Sequence, residues 1–161
     1  MPIEIAMTRF ARSVLFAAAA SATLVVSAVQ AKTQALEVIQ PWSRPAVAGT
    51  TGIGYMVVAN HGRAADALER VESPIAERVE MHSAAMSGGV MSMQKQEKVA
   101  VPAGGTTTFG PGAYHLMLIG LTRTLQPGDE APATLTFASG ARLKVKFLVS
   151  AGMGPPAQAR R

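Results

Sequence analysis

The sequence contains no cysteine among its 161 residues. Without cysteine the chain can form neither a disulfide nor a thiolate metal site. Blue-copper electron-transfer centres combine a cysteine thiolate with two histidines, so that class of protein is excluded. Any metal site in this chain must instead use His, Met, Asp, Glu or backbone atoms.

Charged and aromatic residues are scarce, at 16% and 5% of the chain. The formal net charge is +5, and the basic residues form no stripe interleaved with aromatic residues. A nucleic-acid partner is therefore not expected. The chain has only three histidines, and no Ser-His-Asp arrangement or zinc triad is apparent. We therefore predict that the protein is not an enzyme.

Residues 1–31 have the layout of a cleavable secretory signal peptide. Arg9 and Arg12 give a positive start, and residues 13–28 form an uncharged apolar run. The small residues that end at Ala31 match the cleavage site that a signal peptidase recognises. The run is shorter than the roughly 20 residues of a membrane-spanning helix, so cleavage is favoured over an uncleaved anchor. Because no cysteine follows the run, we expect no lipid-anchored lipoprotein.

The rest of the chain predicts one all-β domain over residues 32–150. Strand-like runs recur between Gly and Pro turn signals, and no repeat or long helical period is visible. This pattern is typical of a β-sandwich or barrel. The predicted strand segments are 35–45, 51–62, 66–74, 76–83, 89–105, 106–112, 112–120 and a closing hairpin over 133–150. Residues 151–161 have too little apolar content to pack, so we predict a disordered tail.

Methionine and histidine cluster in one window of this domain. Five of the seven methionines after residue 31 lie between positions 81 and 117, together with His82 and His115. Methionine usually fills core gaps, and a lone strand histidine is usually structural. Together, however, uncharged thioether and imidazole donors suit Cu(I), a soft monovalent ion.

Strand alternation sorts these residues by face, because residues i and i+2 of a strand point the same way. His115 and Met117 share one face, and so do Met91 and Met93. Met81 and His82 are adjacent and point to opposite faces. We predict Met81 for the core and His82 for the polar face.

The spacing between the candidates is more specific than any single pair. His82, Met93, His115 and Met117 form the pattern H-x10-M-x21-H-x-M. This pattern resembles the signature of the periplasmic copper chaperone family usually called PCuAC. The resemblance extends over nearly all of residues 38–149, including PWSRP (41–45), GYMVVAN (54–60), VPAGG (101–105) and FGPGAYHLMLIGL (109–121).

The resemblance implies a cupredoxin-like β-sandwich that binds one Cu(I) ion through His82, Met93, His115 and Met117. It implies delivery of copper in the periplasm, typically towards the CuA centre of cytochrome c oxidase and often alongside a Sco-type partner. Some family members carry a methionine directly after the first histidine, and here that position is Ser83. The roles of Met86 and Met91 remain open: each could supply a substitute sulfur ligand, lie next to the ligands without binding the metal, or serve only in packing.

The main alternative is a secreted structural or interaction β-sandwich without metal. It predicts that Met93 and Met117 lie in the core. We expect no metal-binding role for the remaining conspicuous residues: His61 should be exposed, Trp42 and Tyr55 should be core aromatics, and Asp66 and Asp129 should have turn or hydrogen-bonding roles. A monomer is the simplest expectation for a carrier that presents its site.

Overall fold

The computed structural model describes residues 35–155, and these form strands, turns and loops without a helix. The predicted signal peptide (1–31) and most of the predicted tail (156–161) lie outside the described residues. Within them, no helix is long and apolar enough to cross a membrane. The ten strands are β1 (Leu36–Ser43), β2 (Gly52–Asn60), β3 (Asp66–Glu72), β4 (Ala76–Ser87), β5 (Val90–Gln96), β6 (Val99–Val101), β7 (Thr106–Phe109), β8 (Tyr114–Leu121), β9 (Glu130–Phe137) and β10 (Arg142–Val149).

The strands closely follow the predicted segments, with two informative differences. The segment predicted over 76–83 continues to Ser87 in β4. The segment 89–105, read from the sequence as one run, divides into β5 and β6. The chain leaves β5 at Glu97 and Lys98, and β6 then pairs with β3 instead of continuing beside β4. The hydrophobic pattern could not reveal this break, because the choice of partner depends on the rest of the sheet.

All ten strands belong to one hydrogen-bonded network in the order β5-β4-β8-β7-β2-β1-β10-β9-β3-β6. Most neighbours are antiparallel; β1 with β10 and β7 with β8 are parallel. The network folds over a single core that includes Met56 of β2, Leu116 of β8 and Phe147 of β10.

Side chains of β8 alternate between the core face and the opposite face, as the sequence predicts, although His115 on the opposite face is itself buried, at 6% exposed. Leu116 and Leu118 are buried in the core. Each such side chain contributes about 1.5–3 kcal/mol through burial of its apolar surface. His115 and Met117 project from the other face of the strand. The core holds β8 in place and so fixes the position of these two residues.

The β4–β5 hairpin extends the sheet at one edge. Ser87 pairs with Val90, and the two-residue loop of Gly88 and Gly89 has φ values of +58° and +79°. Positive φ at both loop positions is the requirement of a type I′ turn, which glycine meets without strain. Among the described strands β5 pairs only with β4, so its residues are almost all exposed.

Candidate metal centre

The two predicted histidine ligands lie opposite one another on neighbouring strands. His82 of β4 pairs with His115 of β8, and their ring centroids are 5.9 Å apart. Directly opposed residues of an antiparallel pair project from the same face. The two histidines are separated by 32 residues in sequence, and the pairing of β4 with β8 brings them together.

The two predicted methionine ligands share that face. Met93 of β5 lies opposite Ala84, two residues beyond His82 on β4. Met93 and His115 both line a surface cavity of about 230 Å³. Met117 pairs with Glu80 on β4 and is not among the described residues that line this cavity. The fold thus brings all four residues to one face of β5, β4 and β8, and their role as ligands stays a prediction.

Met93 is 59% exposed and Met117 is half-buried on the face opposite the Leu116 core. Neither belongs to the hydrophobic core cluster. This placement is the reverse of what the metal-free alternative predicts. Met81 is 5% exposed in the core, which confirms the prediction made from strand alternation.

The ring of His82 leaves one nitrogen available. Its Nε2 lies 3.0 Å from Glu80 Oε2, and an ionised carboxylate can only accept, so Nε2 carries the proton. Its Nδ1 is buried and has no hydrogen-bond partner among residues 35–155. A buried polar atom without a partner is costly unless a ligand satisfies it. Nδ1 is therefore the atom of His82 that suits a metal ion.

The ring of His115 is oriented by the turn that precedes β8. Ala113 N donates to Gly110 O at 3.0 Å, and Gly112 has a φ of +76°, as position three of a type II turn requires. The carbonyl of Ala113 lies 3.3 Å from His115 Nδ1. A carbonyl can only accept, so Nδ1 carries the proton and Nε2 keeps the free lone pair. The two histidines thus offer different ring nitrogens.

Glu80 is a functional candidate that the sequence analysis missed. Its hydrogen bond with His82, followed by those with Arg78 and the charge of Lys95, lowers the pKa of Glu80 from 4.5 to about 2. The carboxylate is therefore ionised over the whole neutral range and is balanced by two cations. The i, i+2 spacing of Glu80 and His82 within a strand was the available signal for this contact.

The donor set formed in this way is uncharged: two imidazole nitrogens and two thioether sulfurs. Within residues 35–155, no group of three or more His, Cys, Asp or Glu side chains is placed to hold a metal ion. The arrangement therefore offers little to hard divalent ions such as Mg²⁺ or Ca²⁺, which prefer several oxygen ligands. Thioether sulfur with imidazole suits a soft monovalent ion.

The remaining conspicuous residues lie in the positions predicted for them. His61 is exposed and pairs with Glu37 at 2.9 Å. Trp42 and Tyr55 are both 5% exposed, with ring centroids 4.6 Å apart. Asp66 Oδ1 accepts from the amides of Ala67 and Ser139, and Asp129 Oδ2 accepts from the amide of Gln126. These predictions are confirmed.

Comparison with known proteins places the chain in a family. The family described as "Putative lipoprotein LpqE-like" matches residues 36–149, which run from the first strand to the last. The chain belongs to this family. A relative, "Putative lipoprotein Lxx21020" of Leifsonia xyli subsp. xyli (strain CTCB07), is 29% identical over 106 residues. The match covers 65% of this chain and 63% of that protein, so it spans less than two thirds of the relative's length.

Solved structures confirm the predicted fold for this LpqE-like chain. The "Copper-bound PCuAC domain from PmoF2" has a TM-score of 0.62 at 24% identity, over 73% of this chain and 94% of that one. The solution structure of CuI-DR1885 from Deinococcus radiodurans has a TM-score of 0.53 at 27% identity, over 80% and 88%. The all-β, cupredoxin-like architecture and the resemblance to PCuAC domains are both confirmed.

Proposed function

We propose that this protein is a copper chaperone that binds one Cu(I) ion through His82, Met93, His115 and Met117. The observation that carries the proposal is the opposed His82–His115 pair, in which the buried His82 Nδ1 has no hydrogen-bond partner among the described residues. The solved Deinococcus radiodurans relative, which is named with Cu(I), supports the choice of metal.

The proposed mechanism is ligand exchange without catalysis. The four donors are neutral, so they hold a monovalent ion without adding charge to it. Met93 is the most exposed of the four, at 59%, and would be the first donor to be displaced. A partner with thiolate ligands then replaces the thioethers one at a time, and the ion leaves with its charge and oxidation state unchanged.

We place this activity outside the cytoplasm. The relative in Leifsonia xyli is named as a putative lipoprotein, and the sequence predicts a signal peptide over residues 1–31. The finer proposal is periplasmic delivery towards the CuA centre of cytochrome c oxidase, with a Sco-type protein or an oxidase subunit as partner. This step rests on the PCuAC resemblance. We propose that the carrier acts as a monomer and not as an enzyme.

A competition titration tests the proposal. Residues 32–161 are titrated anaerobically with Cu(I) against a chromogenic chelator in the presence of a reductant. We expect one equivalent of Cu(I) to be withdrawn from the chelator. Failure to compete at any ratio of protein to chelator would leave the metal-free β-sandwich as the better description.

The contact between Glu80 and His82 gives a separate prediction. We expect Glu80→Ala to weaken Cu(I) binding by about 10–100-fold, because carboxylates that orient a ligating histidine have effects of that size. Glu80→Gln keeps an acceptor oxygen, so its Cu(I) affinity should fall less than that of Glu80→Ala. Affinities of both variants are measured by the same competition assay.

The matched control is Glu77→Ala, which removes an exposed carboxylate from the same strand. Its Cu(I) affinity should equal that of the unmodified protein. Equal affinities for Glu80→Ala and Glu77→Ala would show that Glu80 does not orient His82.

A further inference from the structure

The β4–β5 hairpin carries two further methionines that the four-ligand proposal does not use. Met86 and Met91 are directly opposed in the register of β4 and β5. They are 70% and 56% exposed, and neither belongs to the core cluster. Methionine usually fills gaps in a core, so packing does not explain this pair. We call Met86 and Met91 the hairpin pair.

The hairpin pair lies on the same face as the proposed copper ligands. Met86, Ala84 and His82 occupy every second position of β4 and therefore share one face, and Met91 and Met93 do the same on β5. Met91 and Met93 also line the same cavity as His115. A row of thioether sulfurs therefore runs from the exposed turn of the hairpin to the histidine pair.

The spacing of this row suits the movement of an ion. Opposed residues of an antiparallel pair have Cβ atoms about 4.5–5.5 Å apart, so two flexible methionine side chains can meet at one ion. Residues i and i+2 of a strand are separated by about 7 Å. The step from Met91 to Met93 is therefore within reach of their side chains without movement of the backbone.

The turn end of the hairpin is also free of charge. Residues 84–93 contain only Ala, Met, Ser, Gly and Val, and the first charged residue along β5 is Lys95. An uncharged site of two thioethers favours a soft monovalent ion over a divalent one. Two such donors bind more weakly than a site that adds two imidazoles, so an ion would exchange rapidly.

We propose that the hairpin pair is a second, weaker site for a soft monovalent metal ion, through which Cu(I) reaches Met93 and His115. This inference rests on the proposed copper function and deepens it. In each step one copper–donor bond forms as another breaks: the bonds to the sulfurs of Met86 and Met91 are replaced by bonds to the sulfur of Met93 and a ring nitrogen of His115. The ion remains Cu(I), and because thioethers carry no proton, no proton is released.

The first test uses Ag(I), a soft monovalent ion, and the double variant His82→Ala/His115→Ala. The methionine methyl groups are labelled with carbon-13 and followed by NMR as Ag(I) is added. We expect the methyl signals of Met86 and Met91 to shift together. Met153 is 80% exposed and lies outside the strands, so it serves as the reference for unspecific binding to a single sulfur. Shifts no larger than that of Met153 would overturn the proposal.

The second test measures loading of the unmodified site. Stopped-flow absorbance follows transfer of Cu(I) from a chromogenic chelator to the protein. We expect Met86→Leu/Met91→Leu to slow loading severalfold while stoichiometry and equilibrium affinity stay unchanged. Leucine keeps the apolar bulk, so the effect reports on sulfur. Val90→Leu, at an exposed position on the other face of the hairpin, is the matched control and should load at the original rate.

The outcomes separate this inference from the proposed function. An unmodified protein that withdraws no Cu(I) overturns both. A protein that binds one equivalent, but loads equally fast with and without the hairpin pair, overturns the inference and leaves the four-ligand site standing.

Discussion

His115→Ala should reduce the affinity for Cu(I) by more than about 100-fold, because loss of a ligand exceeds the 10–100-fold effect of losing a residue that only orients one. His115 is central to the proposed site: it lies opposite His82 and lines the cavity that Met93 also lines. Its Nε2 keeps a free lone pair because Nδ1 is directed to the carbonyl of Ala113. Competition titration against a Cu(I) chelator measures the change.

The fold should survive this substitution. His115 is 6% exposed but projects from the face of β8 opposite the core, and the one side-chain hydrogen bond it makes among the described residues, at 3.3 Å, contributes about 1 kcal/mol. Circular dichroism should therefore show an unchanged β spectrum. Met117→Leu, on the same face of the strand, should likewise lower the affinity while the fold is kept.

His61→Ala is the matched control for this experiment. His61 is exposed and pairs only with Glu37 among the described residues, so its removal should leave Cu(I) binding intact. If His115→Ala and Met117→Leu both bind as tightly as the unmodified protein, the four-ligand assignment is wrong. If His61→Ala weakens binding as much as His115→Ala, the site lies elsewhere.

Leu116→Ala, at the next position of β8, should lower the stability of the fold and leave the affinity for Cu(I) unchanged. Leu116 is fully buried, so its truncation should lower the free energy of unfolding by about 2–5 kcal/mol. For a domain of this size the melting temperature should fall by on the order of 10 °C. Thermal unfolding followed by circular dichroism measures the shift. At a temperature well below the transition, Cu(I) affinity should be retained, because the side chain faces away from the site.

Val47→Ala is the comparison for the stability measurement. Val47 is 63% exposed, and exposed substitutions usually change stability by less than about 0.5 kcal/mol. A Leu116→Ala variant as stable as Val47→Ala would mean that the core and site faces of β8 are reversed. The pair of adjacent variants, His115→Ala and Leu116→Ala, thus separates binding from folding within one strand.

Much of the fold follows from the sequence because strand alternation has a period of two residues. The runs between Gly and Pro signals locate nearly all strands, and the alternation in residues 112–120 assigns Leu116 to the core and His115 to the other face. The same rule places Met81 in the core and His82 outside it. The break between β5 and β6 was not predictable, because it depends on pairing of β6 with the distant β3.

The sequence by itself determined which donors this protein can offer: no thiolate, but two histidines and two methionines at a distinctive spacing, in an all-β domain. Only the tertiary structure decided that His82 lies opposite His115, that Glu80 occupies one ring nitrogen of His82, and that Met93 and Met91 share a cavity with His115. The physical reason is that alternation fixes faces within a strand, whereas the register between β4 and β8 is set by the packing of their shared core.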